Sequence, residues 1–166
     1  MAAQLTYGYD TPKAVPGLIA DLADIEVLSR TNDENDGVLK FGMGVVVGTN
    51  VGRSVKKPVA ASTAAAFEGV VLSREHTEQD MNGTVVVQKG SVVSVLKRGN
   101  VWVRLVEQAT QPTYGAAAYL VKSGDNAGCF TATSGETTID VGAKFGAEAQ
   151  LNAAGTNFDL ARITIG

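Results

Sequence analysis

The sequence contains one Cys, one His and one Trp among 166 residues, and only four Pro. A lone Cys129 excludes an intrachain disulfide, so no disulfide framework constrains the redox compartment. One Cys and one His cannot build a structural zinc site either. A nucleophile needs a base within hydrogen-bond reach, but His76 lies in the polar stretch "SREHTEQD" and neither it nor Cys129 carries a local signature. Cys129 reads as a small buried apolar side chain and His76 as a surface residue. Basic charge is also scarce: 14 Lys and Arg stand against 17 Asp and Glu, a net charge of -3. The clustered basic footprint of a nucleic-acid binder is therefore missing, and Lys56-Lys57 and Lys97-Arg98 read as solvated pairs. No apolar run approaches the roughly 18 residues of a membrane helix. "MAAQLTYGYD" lacks the basic-then-apolar pattern of a signal peptide. The expectation is a soluble chain synthesised in a cytoplasm, with no nucleic-acid and no membrane partner.

Four short motifs imitate chemistry, and each fails on its own requirements. Ser54 and Lys57 have a Ser-x-x-Lys spacing, but the companion Ser-Asp-Asn and Lys-Thr-Gly motifs are absent. "FGMGVVVG" spaces its glycines one residue too far for a dinucleotide fingerprint and opens onto a β-branched run, so a pyrophosphate would find no helix N-terminus. "NDENDG" begins like a calcium loop at Asn32, Glu34, Asp36 and Gly37, yet position 12 of that frame is Met43, where a bidentate Glu is needed. Asn82-Gly83-Thr84 is a formal glycosylation sequon that reads better as a turn. The chain is expected to be no enzyme and to use no cofactor and no metal.

What is abundant is strand material. Hydrophobic residues make up 45 % and charged residues 19 %, a globular balance. Val occurs 22 times, Thr 15 and Gly 19; β-branched side chains suit a pleated surface and Gly supplies turns. From residue 38 onward, short apolar runs such as "VLKFGMGVVVG", "KPVAAS", "AFEGVVLS", "GTVVVQKG", "SVVSVLKRG", "NVWVRLVE" and "AAYLVKSG" alternate with Gly, Asn, Asp and Ser. That punctuation predicts an all-β fold, a compact barrel or sandwich of short strands over 38–166. Ile139, Val141, Ala143 and Phe145 alternate with Asp140, Gly142 and Lys144, and Ala161, Ile163 and Ile165 alternate with Arg162 and Thr164. Each such strand has one core face and one wet face.

Residues 1–37 differ. "TYGYDTPKAVPG" has neither strand nor helix period and reads as an extended N-terminal arm. In "LIADLADIEVL", Leu18, Leu22 and Ile25 fall at helical intervals, although an extended segment laid on a neighbour would use the same residues. Further on, Val101, Val103 and Leu105 share one strand face and Trp102, Arg104 and Val106 the other. A strand apolar on both faces lies between two surfaces, within the chain or between chains. Tyr7, Tyr9, Tyr114, Tyr119 and Trp102 are scattered, which favours packing over an aromatic platform for sugar.

"TYGYDTP…VPG", "PVAAS…AFEGV", "GNVWVRL", "PTYGAAAYLVKSGDNAGCFTATSG" and the closing "VGAKFGAEAQ…FDLARITI" resemble, in order and over nearly the whole chain, the structural cement proteins of tailed bacteriophages. The resemblance implies a β-rich capsid decoration protein on the outer surface of the virion, with major capsid protein as partner. Self-association, as a homotrimer or a dimer, is a further expectation. The expected interface residues are the arm's apolar anchors Tyr7, Tyr9, Leu18, Ile19, Leu22 and Ile25, together with Trp102 and Arg104 of the two-faced strand. The alternative from another class is a virion-surface module that binds carbohydrate or host material through clustered exposed aromatics.

Overall fold

The computed structural model describes residues 14–73 and 85–166. The fold is all-β. Among the described residues nine strands follow in chain order: β1 (Glu26–Asn32), β2 (Gly44–Val47), β3 (Ser54–Lys56), β4 (Phe67–Val71), β5 (Val92–Gln108), β6 (Ala117–Val121), β7 (Phe130–Thr131), β8 (Thr138–Leu151) and β9 (Phe158–Ile165). The one helical turn among the described residues is 3-10, at Ala64–Ala66.

The sheet closes on itself twice. β1, β3, β2, β4 and the first half of β5 form a five-stranded barrel, sealed by antiparallel pairing of β5 with β1. The second half of β5 continues into a ring with β7, β6, β8 and β9, sealed by β5–β9 pairing. Closure of this kind removes exposed strand edges, a hazard for a β protein. The 17-residue β5 is thus the seam of the molecule. The sequence reads it as two strands broken at Arg98-Gly99-Asn100, but pairing passes from β1 at Arg98 to β9 at Gly99 without a turn. Gly99 is needed there as Gly: its φ is +126, and an added Cβ would meet Ile25 at 3.0 Å.

A bulge sets which residues fill which core. Glu26 pairs with Arg98 but Val27 with Leu96, so Lys97 is an extra residue on β5. One inserted residue flips the alternation of everything after it. Val93 and Val95 therefore fill the smaller core with Leu39, Val45, Val55 and Val71. Leu96, Val101, Val103 and Leu105, of mixed parity, all enter the larger core with Phe130, Phe145 and Ile163. The expected alternations in β8 and β9 hold: Ile139, Ala143 and Phe145 are buried while Asp140 and Lys144 are exposed, and Ala161, Ile163 and Ile165 are buried.

Two local readings change. "KPVAAS" is a turn and not a strand, and residues 85–90 of "GTVVVQKG" form no extended strand. The stretch read as an arm, 1–37, contributes β1 to the first barrel, pairing with β5 from Glu26 to Thr31.

The calcium-like stretch is a knot of turn caps. Asn32 donates its side-chain amide to the carbonyls of Val87 and Gln88 (3.4 and 3.0 Å). Asp33 accepts from the Thr49 amide and the Ser54 hydroxyl, both at 2.6 Å. Glu34 accepts from the Lys57 amide at 3.1 Å and Asp36 from the Lys89 amide at 2.7 Å. Each acidic side chain satisfies a backbone N–H of a different loop, which is why the cluster is acidic. The same bonds hold the Asp33 carboxyl below the usual carboxylate range, the Ser54 hydroxyl contributing most. They also commit Ser54 to Asp33 rather than to Lys57.

Candidate interaction surface

Residues 14–25 are neither helical nor detached. Pro16 and Gly17 turn the chain sharply, with Gly17 at φ +80, where an added Cβ would stand 2.7 Å from the Ser73 nitrogen and the Val71 oxygen. The following residues then lie along β5. Gly17 N–H donates to the Trp102 carbonyl (2.7 Å), Trp102 N–H to Leu18 (2.9 Å) and Ala20 N–H to Asn100 (2.9 Å), with Ile19 opposite Val101. Backbone groups that a helix would use internally are spent on β5 instead.

Polar and apolar contacts fasten this segment together. The Asp21 carboxylate accepts from Asn100 (2.8 Å) and from Arg162 (2.9 Å), and Arg162 also lies 3.8 Å from Glu148. Gln150 accepts from the Ala14 amide at 3.1 Å. Beneath these bonds Trp102, 4 % exposed, packs with Ala14, Ala20 and Leu160. Asp21 and Arg162 stand 141 residues apart in the chain, so nothing in the local pattern marks them as partners.

The expected interface residues separate into three groups. Trp102 is buried beneath its own chain, and Ile19 turns inward onto the larger core. Leu18, Leu22 and Ile25 are exposed, Leu22 at 76 %, and Val15 beside them is exposed too. Tyr7 and Tyr9 lie outside the described residues, as do His76 and Asn82. The two-faced strand is thus covered intramolecularly over Trp102, while the covering segment turns an apolar row outward. Exposed apolar side chains on a segment fastened by backbone bonds, the Asp21–Arg162 bridge and a buried Trp lose less freedom on docking than those of a free arm.

Arg104 holds a different position. Its amide donates to the Gly42 carbonyl (3.0 Å) and its Nε to the Phe41 carbonyl (2.9 Å). Clefts on three sides meet at it, one of which also contains Cys129, Glu107 and Asp159. Burial pushes the Cys129 thiol up, opposed by the positive charges of Arg104, Lys57 and Lys40. Burial likewise raises the Asp159 carboxyl, whose Oδ1 has no hydrogen-bond partner among the described residues. Among the described residues no hydrogen bond joins these groups into an acid-base or nucleophile-base pair. Among the described residues no three His, Cys, Asp or Glu side chains gather as metal ligands, and no helix is long and apolar enough to cross a membrane. Nor do the described aromatics form a platform: Trp102 is buried, and Tyr114 stands exposed in the loop before β6.

With this geometry the comparisons with known proteins are specific. A family model described as "Structural cement protein (E217 gp24/Pam3 gp6)" matches residues 3–166. The chain belongs to the structural cement protein family. Among solved structures, a chain in "The capsid of Myoviridae Phage XM1" shares the fold with a TM-score of 0.75 and 16 % identity, covering 100 % of this chain and 98 % of that one. No curated protein matches. The cement protein is a structural, non-enzymatic phage protein that shares its fold with that capsid chain. At that level the expectations drawn from the sequence hold.

Proposed function

We propose that this cement protein binds the outer surface of the phage head and bridges neighbouring major capsid protein subunits. The observation that carries the proposal is the stapled 14–25 segment, whose outward side chains Val15, Leu18, Leu22 and Ile25 form an apolar row on a family member built for capsids. A protein that binds the assembled lattice but not free subunits stabilises it by mass action, about 2.7 kcal/mol per site at a hundredfold excess over its dissociation constant. Repeated over many sites, modest affinities add up to resistance against internal pressure, and self-association as a trimer or dimer adds avidity. Trp102 serves this function indirectly, as the anchor beneath the segment.

The test uses heads assembled without the protein. Added back, it is expected to appear as extra density on the outside of the shell where capsid subunits meet, and to raise the temperature at which heads open. Leu18→Ser/Leu22→Ser, both at exposed positions, should keep the fold and lose most of the protection. Density confined to the inner surface, or no gain in head stability at full occupancy, would refute the proposal. Sedimentation analysis of the free protein distinguishes trimer, dimer and monomer.

A further inference from the structure

Three cations from distant parts of the chain line one cleft of about 390 Å³: Lys40 before β2, Lys57 just after β3, and Arg104 in the second half of β5. Met43, Ala127 and Cys129 line it as well. Lys40, Lys57 and Arg104 have no ion-pair partner among the described residues, although Arg30, Arg98 and Arg162 are all paired. The Glu34 carboxylate accepts from the Lys57 backbone amide and does not line the cleft. Among the described residues Asp125 is the single carboxylate lining the cleft, against three cations. Arg104 is held in place through Nε by the Phe41 carbonyl, which leaves the two terminal nitrogens of its guanidinium without an acceptor among the described residues.

An acidic chain of net charge -3 gains nothing from gathering uncompensated cations around a concavity, because like charges repel more strongly beside low-dielectric walls. A planar guanidinium held by one edge and flanked by two mobile ammonium groups is suited to a carboxylate, which Arg can take with two parallel bonds. The three cations favour an anionic occupant over a purely apolar one, and among the described residues no hydrogen-bonded acid-base pair lines the cleft. We propose that it receives the carboxylate side chain of an acidic segment of the capsid subunit, seated on Arg104 and closed over by Lys40 and Lys57. This inference rests on the capsid-binding reading, and it adds an electrostatic contact separate from the apolar row.

The experiment has two arms. In the first, ¹⁵N-labelled protein is titrated with an acetylated, amidated hexaglutamate peptide and with its hexaglutamine counterpart. Shifts are expected at residues 40, 57, 104 and 125–129 with the glutamate peptide only. The affinity should fall at least tenfold in Lys40→Glu/Lys57→Glu and by a smaller factor in Lys40→Gln/Lys57→Gln. Lys97→Glu/Lys144→Glu changes net charge by the same amount at exposed positions elsewhere and should bind as the parent does. Shifts mapping to another surface, or equal affinity in both reversed-charge variants, would overturn the assignment. In the second arm the same variants are added to undecorated heads at increasing salt. Lys40→Glu/Lys57→Glu should weaken decoration at least tenfold at low salt and flatten its salt dependence, with an unchanged melting curve in free solution. Parent protein that decorates heads while this variant decorates equally well overturns the cleft and leaves the capsid-binding reading standing. Parent protein that fails to decorate heads overturns that reading, and with it the capsid segment as occupant; the peptide arm then judges the cleft as an acidic-peptide site.

Discussion

Replacing Trp102 with Ala removes the apolar half of what holds residues 14–25 while leaving the polar half in place. A buried Trp removes about 150–250 Å² from water, which at about 25 cal/mol per Å² bounds the loss near 4–6 kcal/mol. Truncations of buried Trp cost about 3–5 kcal/mol, because part of the cavity collapses. Collapse is limited here: Ala14 and Ala20 are too short to fill the space, and Leu160 is fixed in β9. The three backbone bonds to Trp102, Leu18 and Asn100 and the Asp21 bridge to Arg162 do not involve the indole, so the segment is expected to loosen without detaching fully. Urea unfolding followed by far-ultraviolet circular dichroism gives the global cost, since the substitution deletes the only Trp. Hydrogen exchange at the Gly17 and Ala20 amides reports the segment itself. Head binding should weaken in the same variant through loss of the rigid apolar row. A cost under about 1 kcal/mol, far below the range for a buried Trp, with unchanged exchange at Gly17 and Ala20, would refute the claim that Trp102 anchors the segment.

Three further outcomes follow from single contacts. Gly17→Ala forces a Cβ to within 2.7 Å of two backbone atoms at φ +80; a cost of at least about 2 kcal/mol is expected from left-handed strain plus the clash, and a melting temperature equal to that of the parent would contradict it. Asp159→Asn should stabilise at neutral pH: the carboxyl is raised by burial above its unfolded value near 3.8, so the native chain loses stability as pH rises through the interval between the two values. That gain should vanish below the unfolded value, which melting curves at acid and neutral pH compare directly. Asp33→Ala has the opposite sign: its carboxyl is depressed below 3.8 by the Ser54 and Thr49 bonds, so its contribution of about 1 kcal/mol is present above the unfolded value and fades as pH falls through the folded one. A penalty for Asp33→Ala that persists unchanged in strong acid would show that lost packing, not the charged acceptor, is responsible.

The β character and the position of many strands were legible because they depend on local composition. Val-rich runs bounded by Gly, Asn and Asp admit few other structures, and the two-residue period of β8 and β9 assigns their inner and outer faces directly. The two-faced nature of the Trp102 strand was legible for the same reason. The identity of its cover was not. Leu18, Leu22 and Ile25 satisfy a helical spacing, yet Pro16-Gly17 and the β5 backbone draw the segment into extended pairing, and only contacts across about eighty residues decide that. Gly99 misleads for a related reason, since Gly marks turns far more often than the interior of a long strand shared by two closed rings.

Composition and order of pieces alone determined that this is an all-β chain related to phage cement proteins, because those properties are sums over many local choices. Tertiary structure alone decided the rest. It turned one bulge at Lys97 into the division between two cores, buried Trp102 beneath its own N-terminal segment, and gathered Lys40, Lys57 and Arg104 around one cleft. The physical reason is the same in each case. Register, cover and charge convergence depend on pairings between residues far apart in sequence, and no local pattern encodes which distant partner an otherwise ordinary side chain will meet.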